Sequence, residues 1–306
     1  MRYLVAALLL FTSAFAQPKP DVVVRAIHGK VHTVHVESKR GDDPFTLEAD
    51  QTFDPEGWLI EEKRYGLNNQ LMLHQTFKRN AARVIEHDST QYFPQEFAGR
   101  TVTTFEEHGF PIQQIKYTLD GTVRERMQVV YEETQIRELH YDSNDKLVST
   151  RTISTLHDPD SPDRHIEQRV NGNPETITDV HKDGEHVEVK QKEYKDGEVS
   201  GQVMRDLHPG TSTTAIVRAD GSSEASSTRN GEFDETIHPD GSRMKSKFNE
   251  AGLRVEQDDY DAAGKLTAKT TYAYETDEHG NWTRRTSVDS TDPGMLAVIV
   301  RTFTYY

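Results

Sequence analysis

The chain has 306 residues with 51 Asp and Glu against 36 Lys and Arg, a formal net charge of −15, and no cysteine. That acidity argues against nucleic acid or an anionic membrane surface as a partner, since both require a basic patch, and the missing thiols exclude disulfides, thiolate metal sites and cysteine nucleophiles. An apolar fraction of 34% is thin for one thick core at this length and suits an elongated repeat protein, in which each unit packs only on its neighbours.

Residues 1–16, MRYLVAALLLFTSAFA, place Arg2 ahead of an apolar run from Tyr3 to Phe11 and finish on Ala14-Phe15-Ala16. This is the pattern of a secretory signal peptide with an A-x-A cleavage site. The expected mature chain begins near Gln17 and is secreted or periplasmic, without lipid attachment because no cysteine stands at the cleavage point. No other stretch approaches the ~20 apolar residues of a spanning helix, so no membrane insertion is expected.

Residues 17–50 read as N-terminal strands, with apolar and polar residues alternating through VVVRAIHGKVHTVHV from Val22 to Val36. Period-two alternation rich in β-branched residues is the mark of a half-buried strand. The same period recurs at Thr101 to Phe105, His186 to Val189 and Ala297 to Tyr305, while helical spacing is nearly absent. Turn signals separate the strands: Asp-Gly at Asp120, Asp183, Asp196, Asp220 and Asp240, and Asn-Gly at Asn171 and Asn230. Such dipeptides supply the positive φ of tight hairpins. From Gly172 to Gly264 the glycines other than Gly201 stand 10 to 13 residues apart, and aromatics repeat every 12 residues from Phe53 to Tyr65 to Phe77, from Phe105 to Tyr117, and from Phe248 to Tyr260 to Tyr272. A fixed period signals a repeat architecture.

The segment from Tyr260 to Tyr274, YDAAGKLTAKTTYAY, followed by ETDEHGNWTRRT, resembles the YD repeat of bacterial Rhs proteins and teneurin ectodomains. Looser copies are FDPEGWLIEEKRY from Phe53, YDSNDKLVSTRT from Tyr141 and FNEAGLRVEQDDY from Phe248. The resemblance covers much of residues 51–306, is tightest near the C-terminus, and weakens over 197–247, where Tyr and Phe largely disappear and the chain is more polar. It implies an all-β fold, an elongated antiparallel meander of YD-type hairpins forming a curved or spiralling sheet, and it implies no catalytic residues. The large members enclose a toxic C-terminal domain; here the repeat runs to the last residues, RTFTYY, so the repeat is carried over without the toxin domain or the encapsulation.

Chemical motifs are sparse. Seven adjacent acid pairs, among them Glu61-Glu62 and Asp258-Asp259, match the number that chance gives for this composition, about eight, and read as acidic surface with neighbours on opposite faces. His28, His32 and His35 are the best metal candidates, but alternation sets His35 on the face opposite the other two, so a three-ligand site would require a bulge. The acidic loops Asp158 to Asp163 and Asp289 to Asp292 lack the ligand spacing of an EF-hand and read as turns. There is no nucleophile elbow and no phosphate loop, and Asn281-Trp282-Thr283 reads as a chance match to the glycosylation pattern. The sequence therefore predicts no catalytic residues, no cofactor and no metal. Tyr272 and Tyr274 should share a face and contribute to an aromatic stripe joining the hairpins, leaving Trp58 and Trp282, each just after a turn glycine, as the candidate binding residues nearest a sheet rim. The resulting expectation is an exported, non-enzymatic β-repeat protein that binds a protein or cell-surface glycan, or serves structurally, at the envelope or outside the cell. The alternative is a carbohydrate-binding or carbohydrate-processing surface.

Overall fold

In a computed structural model the described residues are 27–80, 83–107, 109–157, 163–208, 211–218, 222–229 and 233–306. The signal-like segment 1–16 and the turns Asp220-Gly221 and Asn230-Gly231 lie outside them. The alternating segments form strands β1 (Val31–Arg40), β2 (Thr46–Phe53), β3 (Leu59–Tyr65), β4 (Leu71–Asn80), β5 (Arg83–Gln91) and β6 (Gly99–Phe105). There follow β7 (Pro111–Tyr117), β8 (Val123–Tyr131), β9 (Gln135–Asp142), β10 (Leu147–His157), β11 (Arg164–Val170) and β12 (Asn173–Asp183). Next come β13 (His186–Lys195), β14 (Glu198–His208), β15 (Thr211–Arg218), β16 (Ser223–Arg229), β17 (Phe233–Ile237) and β18 (Arg243–Phe248), β14 to β17 lying within the polar stretch 197–247. The last four are β19 (Arg254–Tyr260), β20 (Leu266–Thr276), β21 (Trp282–Asp289) and β22 (Asp292–Tyr305). Among the described residues the helical content is two single 3₁₀ turns, Leu67–Asn69 and Gln95–Phe97.

Every strand pairs antiparallel with the next, as the hairpin repeats predict, and the polar stretch 197–247 continues the same ladder. β1 pairs with β2 on one side and with β22 on the other, so the pairing runs from β1 through β22 and returns to β1.

The recurring turn has four residues, and the residue that opens it organises it. Asp54 donates its N–H to the carbonyl of Trp58 (2.9 Å), accepts at its own carbonyl from Gly57 N–H (2.9 Å), and accepts at its carboxylate from Glu56 and Trp58 N–H (3.1 and 2.8 Å). Asp142, Asn249, Asp261 and Asp277 repeat all four bonds. Glu106, Thr118 and His238 repeat the two backbone bonds. This is the local side-chain closure that makes Asp and Asn turn formers. A register shift falls at the residue before the opening one at Phe53, Phe105, Tyr117, Phe248 and Tyr260, so the aromatic of each such repeat lies opposite a bulge in the next strand. The described Asp-Gly and Asn-Gly dipeptides are thus of three kinds, one of them Asp183-Gly184, where Asp183 pairs with His186 and only the glycine of a two-residue turn has positive φ. Asp196-Gly197 and Asn171-Gly172 have positive φ at both residues, as two-residue type I′ hairpins require, whereas at Asp120-Gly121 and Asp240-Gly241 only the glycine is left-handed and closes a four-residue turn.

The expected aromatic stripe takes a different form. Arg100, Arg126 and Arg243 stand directly across from Tyr117, Tyr141 and Tyr260 and lay their guanidinium groups 5.6, 4.4 and 5.9 Å from the ring centres. Arg285, which stands across from Tyr274, reaches diagonally over Tyr272 at 5.8 Å. A half-exposed sheet offers no apolar second layer, and a planar cation covers a ring while keeping its own edge in water.

The main apolar core lies where the first and last strands meet. Ile27, Val31, Val34, Phe53 and Leu59 are buried, with Val36, Phe77, Phe303 and Tyr305 packed against them. Asn281, 2% exposed, fastens this region. Its side-chain amide accepts from His28 N–H (2.6 Å) and donates to the His28 carbonyl (2.8 Å) and the Tyr305 hydroxyl (3.0 Å), and the Tyr305 hydroxyl donates to Asp277. Tyr306 donates its hydroxyl to the Phe53 carbonyl (2.6 Å) and its N–H to the Lys30 carbonyl (2.9 Å). With Asn281 buried and fully engaged, the glycosylation pattern there has a structural explanation.

Asn281→Ala strands both His28 backbone groups and should lower stability by about 2–4 kcal/mol, measured by denaturant unfolding. Gly241→Val should cost about 1–3 kcal/mol, because Gly241 has φ 83° and an added Cβ would stand 3.3 Å from the Cβ of Ala262. An unchanged unfolding midpoint would contradict either assignment.

Candidate functional site

Strand alternation gives the sheet two chemically different faces. One carries charge pairs between adjacent strands: His35 with Asp50 (2.6 Å), His74 with Glu61 (2.8 Å), Arg100 with Asp88 (2.6 Å), Lys269 with Glu256 (2.8 Å). The other carries amides and hydroxyls, and the buried polar residues Glu62, Thr103, Gln168, Thr176, Thr178 and Ser246 lie on it. Register partners there bond to each other, Gln51 donating to Glu62 (2.8 Å), Gln75 to Ser89 (3.2 Å), Gln114 to Thr103 (3.2 Å). The adjacent pair Glu61-Glu62 divides as alternation predicts, Glu62 to the amide face and Glu61 to Lys63 and His74 on the other. The Lys63 hydrogen bond and, after it, the His74 bond hold the Glu61 carboxyl below its usual range against the opposing effect of burial.

A cleft of about 480 Å³ opens at the ends of β7 to β11 and is lined by Phe110, Tyr131, Ile136, Ile153 and Thr155 together with Glu132, Glu133 and Arg164. Its position follows from the register: Ile136 is the cross-strand partner of both Tyr131 and Ile153, and Thr155 is the partner of Ile166. Phe110 and Tyr131 form a tilted aromatic pair, 5.5 Å between centres at 49°. The Tyr131 hydroxyl donates to the Pro111 carbonyl (2.8 Å), which fixes the ring while 39% of the residue remains exposed. Burial pushes that phenol up to about 12, with the charges of Glu106 and Glu138 adding to the effect. At the mouth, Gln135 holds Glu132 below the usual carboxylate range, and Arg137 acts in the same direction. An aromatic and aliphatic lining with a few fixed polar groups, at this volume, is the composition of a small-ligand site.

The residues singled out in the sequence are differently placed. Trp58 is buried, 8% exposed, beneath the Arg79 guanidinium at 4.8 Å. Trp282 is half-buried, edge-on to Tyr274 (6.1 Å, 72°) and 4.4 Å from the Arg301 guanidinium. His28, His32 and His35 are not brought together: the His28 backbone is clasped by Asn281, the His32 ring lies 4.7 Å from that of Tyr306, and His35 binds Asp50. Asp289 accepts from the N–H and hydroxyl of Thr291 (2.7 and 2.6 Å), so that loop is turn chemistry. Sequence reading missed the cleft, whose residues come from four strands, β8 to β11, and from the turns before β7 and after β8. It also missed a group that does converge: His186, Asp206 and His208, whose ligand atoms all lie within 4.8 Å of one another.

No family model matches the chain, and no curated protein does. Among solved structures, a porin-like protein from Bacteroides uniformis is 10% identical, aligned over 90% of this chain and 99% of its own, at a TM-score of 0.30. A chain of the TcdB2-TccC3-Cdc42 structure is 11% identical over 75% of this chain and 15% of its own, at 0.31. A LolA superfamily protein from Nitrosomonas europaea is 9% identical over 88% and 82%, at 0.16. Likenesses this weak carry no argument.

Two phenols should titrate late. Tyr131 and Tyr305 are each raised to about 12 in the folded chain, burial being the first cause in both and the Asp277 hydrogen bond the second for Tyr305. Unfolded tyrosine ionises near ~10, so the unfolded chain loses these protons first; their contribution to stability is complete below about pH 10 and is lost as pH rises towards 12. Ultraviolet titration at rising pH should resolve the pair from the remaining tyrosines.

Proposed function

We propose that this chain is an exported, non-enzymatic β-repeat protein of the YD type that binds a ligand at the cell envelope or outside the cell through the cleft at the ends of β7 to β11. The aromatic pair Phe110 and Tyr131, fixed beside Ile136 and Ile153 and flanked by Glu132, Glu133 and Arg164, carries this reading. The ring of Tyr131 is held by its own hydroxyl, so little side-chain freedom remains to be lost on binding. Export rests on the pattern of residues 1–16, and the YD assignment is supported by the four-residue turn that Asp54, Asp142, Asp261 and Asp277 build alike.

The same composition favours a carbohydrate among possible ligands, since a sugar presents an apolar face to an aromatic ring and hydroxyls to carboxylates and a guanidinium. The test is a screen of glycans, cell-wall fragments and peptides against the wild-type protein and Tyr131→Ala. We expect saturable binding by a member of one class, weakened about tenfold or more in the variant, equivalent to about 1.4 kcal/mol or more. Undiminished binding by Tyr131→Ala would remove the cleft as the site. Turnover of a bound glycoside would remove the non-enzymatic reading.

A further inference from the structure

We infer that His186, Asp206 and His208 form a binding site for a divalent transition-metal ion on the charged face of the β13–β14 hairpin, independent of the cleft. The His186 Nε2 lies 2.6 Å and the His208 Nε2 3.2 Å from the same oxygen of Asp206, Oδ1. The two imidazoles are stacked, 4.2 Å between centres and 2° between planes, so both present Nε2 to that carboxylate. Two imidazole nitrogens and one carboxylate are a donor set for Zn²⁺, Ni²⁺, Cu²⁺ or Co²⁺ and poorly suited to Mg²⁺ or Ca²⁺, which take oxygen ligands. Three protein ligands leave positions open for water.

A register shift builds the site. Next to the Asp196-Gly197 turn, Lys195 pairs with Glu198 and Tyr194 with Val199; then Glu193 pairs with Gly201, which leaves Ser200 as an extra residue on β14. From there Val187 pairs with Leu207 and Glu188 with Asp206, and one further step in the same register sets His186 across from His208. Without the extra residue His186 would stand across from position 207, and both Asp206 and His208 would point to the other side of the sheet. With it, two ligands face each other across the ladder and the third is the diagonal neighbour, the spacing at which side chains on adjacent strands meet. Glu188, on the same face, adds negative charge and is itself paired with Lys190 (2.9 Å).

The test is calorimetric titration of chelator-treated, full-length protein with Zn²⁺ alone. One ion per chain is expected to bind saturably in the micromolar range. His186→Ala, His208→Ala and Asp206→Asn should each weaken binding more than about tenfold, since even loss of an outer partner of a ligand has an effect of that size. His165→Ala, which removes a histidine paired to Asp179 (2.7 Å) on neighbouring strands, should leave binding unchanged. Deleting Ser200 should abolish it while the β-sheet circular dichroism persists. Absence of saturable binding, or equal affinity in the His186→Ala, His208→Ala double variant, overturns the assignment. Should a variant fail to fold, imidazole nitrogen resonances of the wild-type protein decide the matter: those of His186 and His208 must shift on adding Zn²⁺, and shifts confined to other histidines overturn it.

Discussion

The pairing of β1 with β22 is the contact on which the rest of the sheet depends. A meander whose first and last strands stood apart would end in two rows of unpaired N–H and C=O groups, each a template for association with another chain. Here β22 covers one side of β1 from Val31 to Arg40, and β2 covers the other from Thr33 to Ser38. The apolar core sits at this seam, with Val31 and Val34 almost fully buried and Phe53 completely so. Asn281 adds to it by acting as a piece of backbone, its amide giving and receiving one hydrogen bond with the main chain of His28. Residues more than 250 positions apart in sequence are joined there, so the seam is the contact of highest order in the fold and the one with the largest loop-closure cost.

Away from the seam the stabilisation is local. The four-residue turns are closed by their opening residue, the aromatic before it lies opposite a bulge in the next strand, and in several repeats an arginine across the ladder covers the ring. Ion pairs, most of them on one face, and amide-to-hydroxyl bonds on the other join neighbours to neighbours. Exposed ion pairs are individually worth little, median ~0–1 kcal/mol, so their number on the sheet does less for stability than the backbone ladder beneath them. Charge-paired strands resist stacking against another sheet, whereas Tyr131 and Phe110 in the cleft on the amide face remain partly exposed.

The all-β meander was legible because two signals agree at many steps, period-two alternation and left-handed turn residues. The stretch from Ala297 to Tyr305 lies in β22, where the alternation put it, whereas the strand expected from Val22 to Val36 begins only at Val31, Ile27 to Lys30 preceding it outside the ladder. What the sequence concealed was register. A bulge moves every later residue to the other face, and nothing in the run from Glu193 to Gly201 announces that Ser200 is the extra residue. For that reason His28, His32 and His35 attracted attention on spacing alone, whereas His186 and His208, separated by a turn and a bulge, did not. The tyrosines were correctly placed in strands, but their partners were expected to be other aromatics. Arg100, Arg126 and Arg243 took that role because a sheet wet on one face favours a cover that tolerates water. The cleft was invisible because Phe110, Ile153 and Arg164 become neighbours only after three hairpins have folded.

The antiparallel seam also limits how such a chain can change in length. Strand direction alternates at every turn, so β22 can run opposite to β1 only if the number of strands is even. Gain or loss of a single strand would bring the last strand alongside β1 in parallel, with the slanted bonding that its partners do not match. The unit of duplication is therefore a whole hairpin, two strands and two turns, rather than the twelve-residue period visible in the aromatics. Parity, a property of the circuit and of no single residue, selects which insertions this architecture can survive.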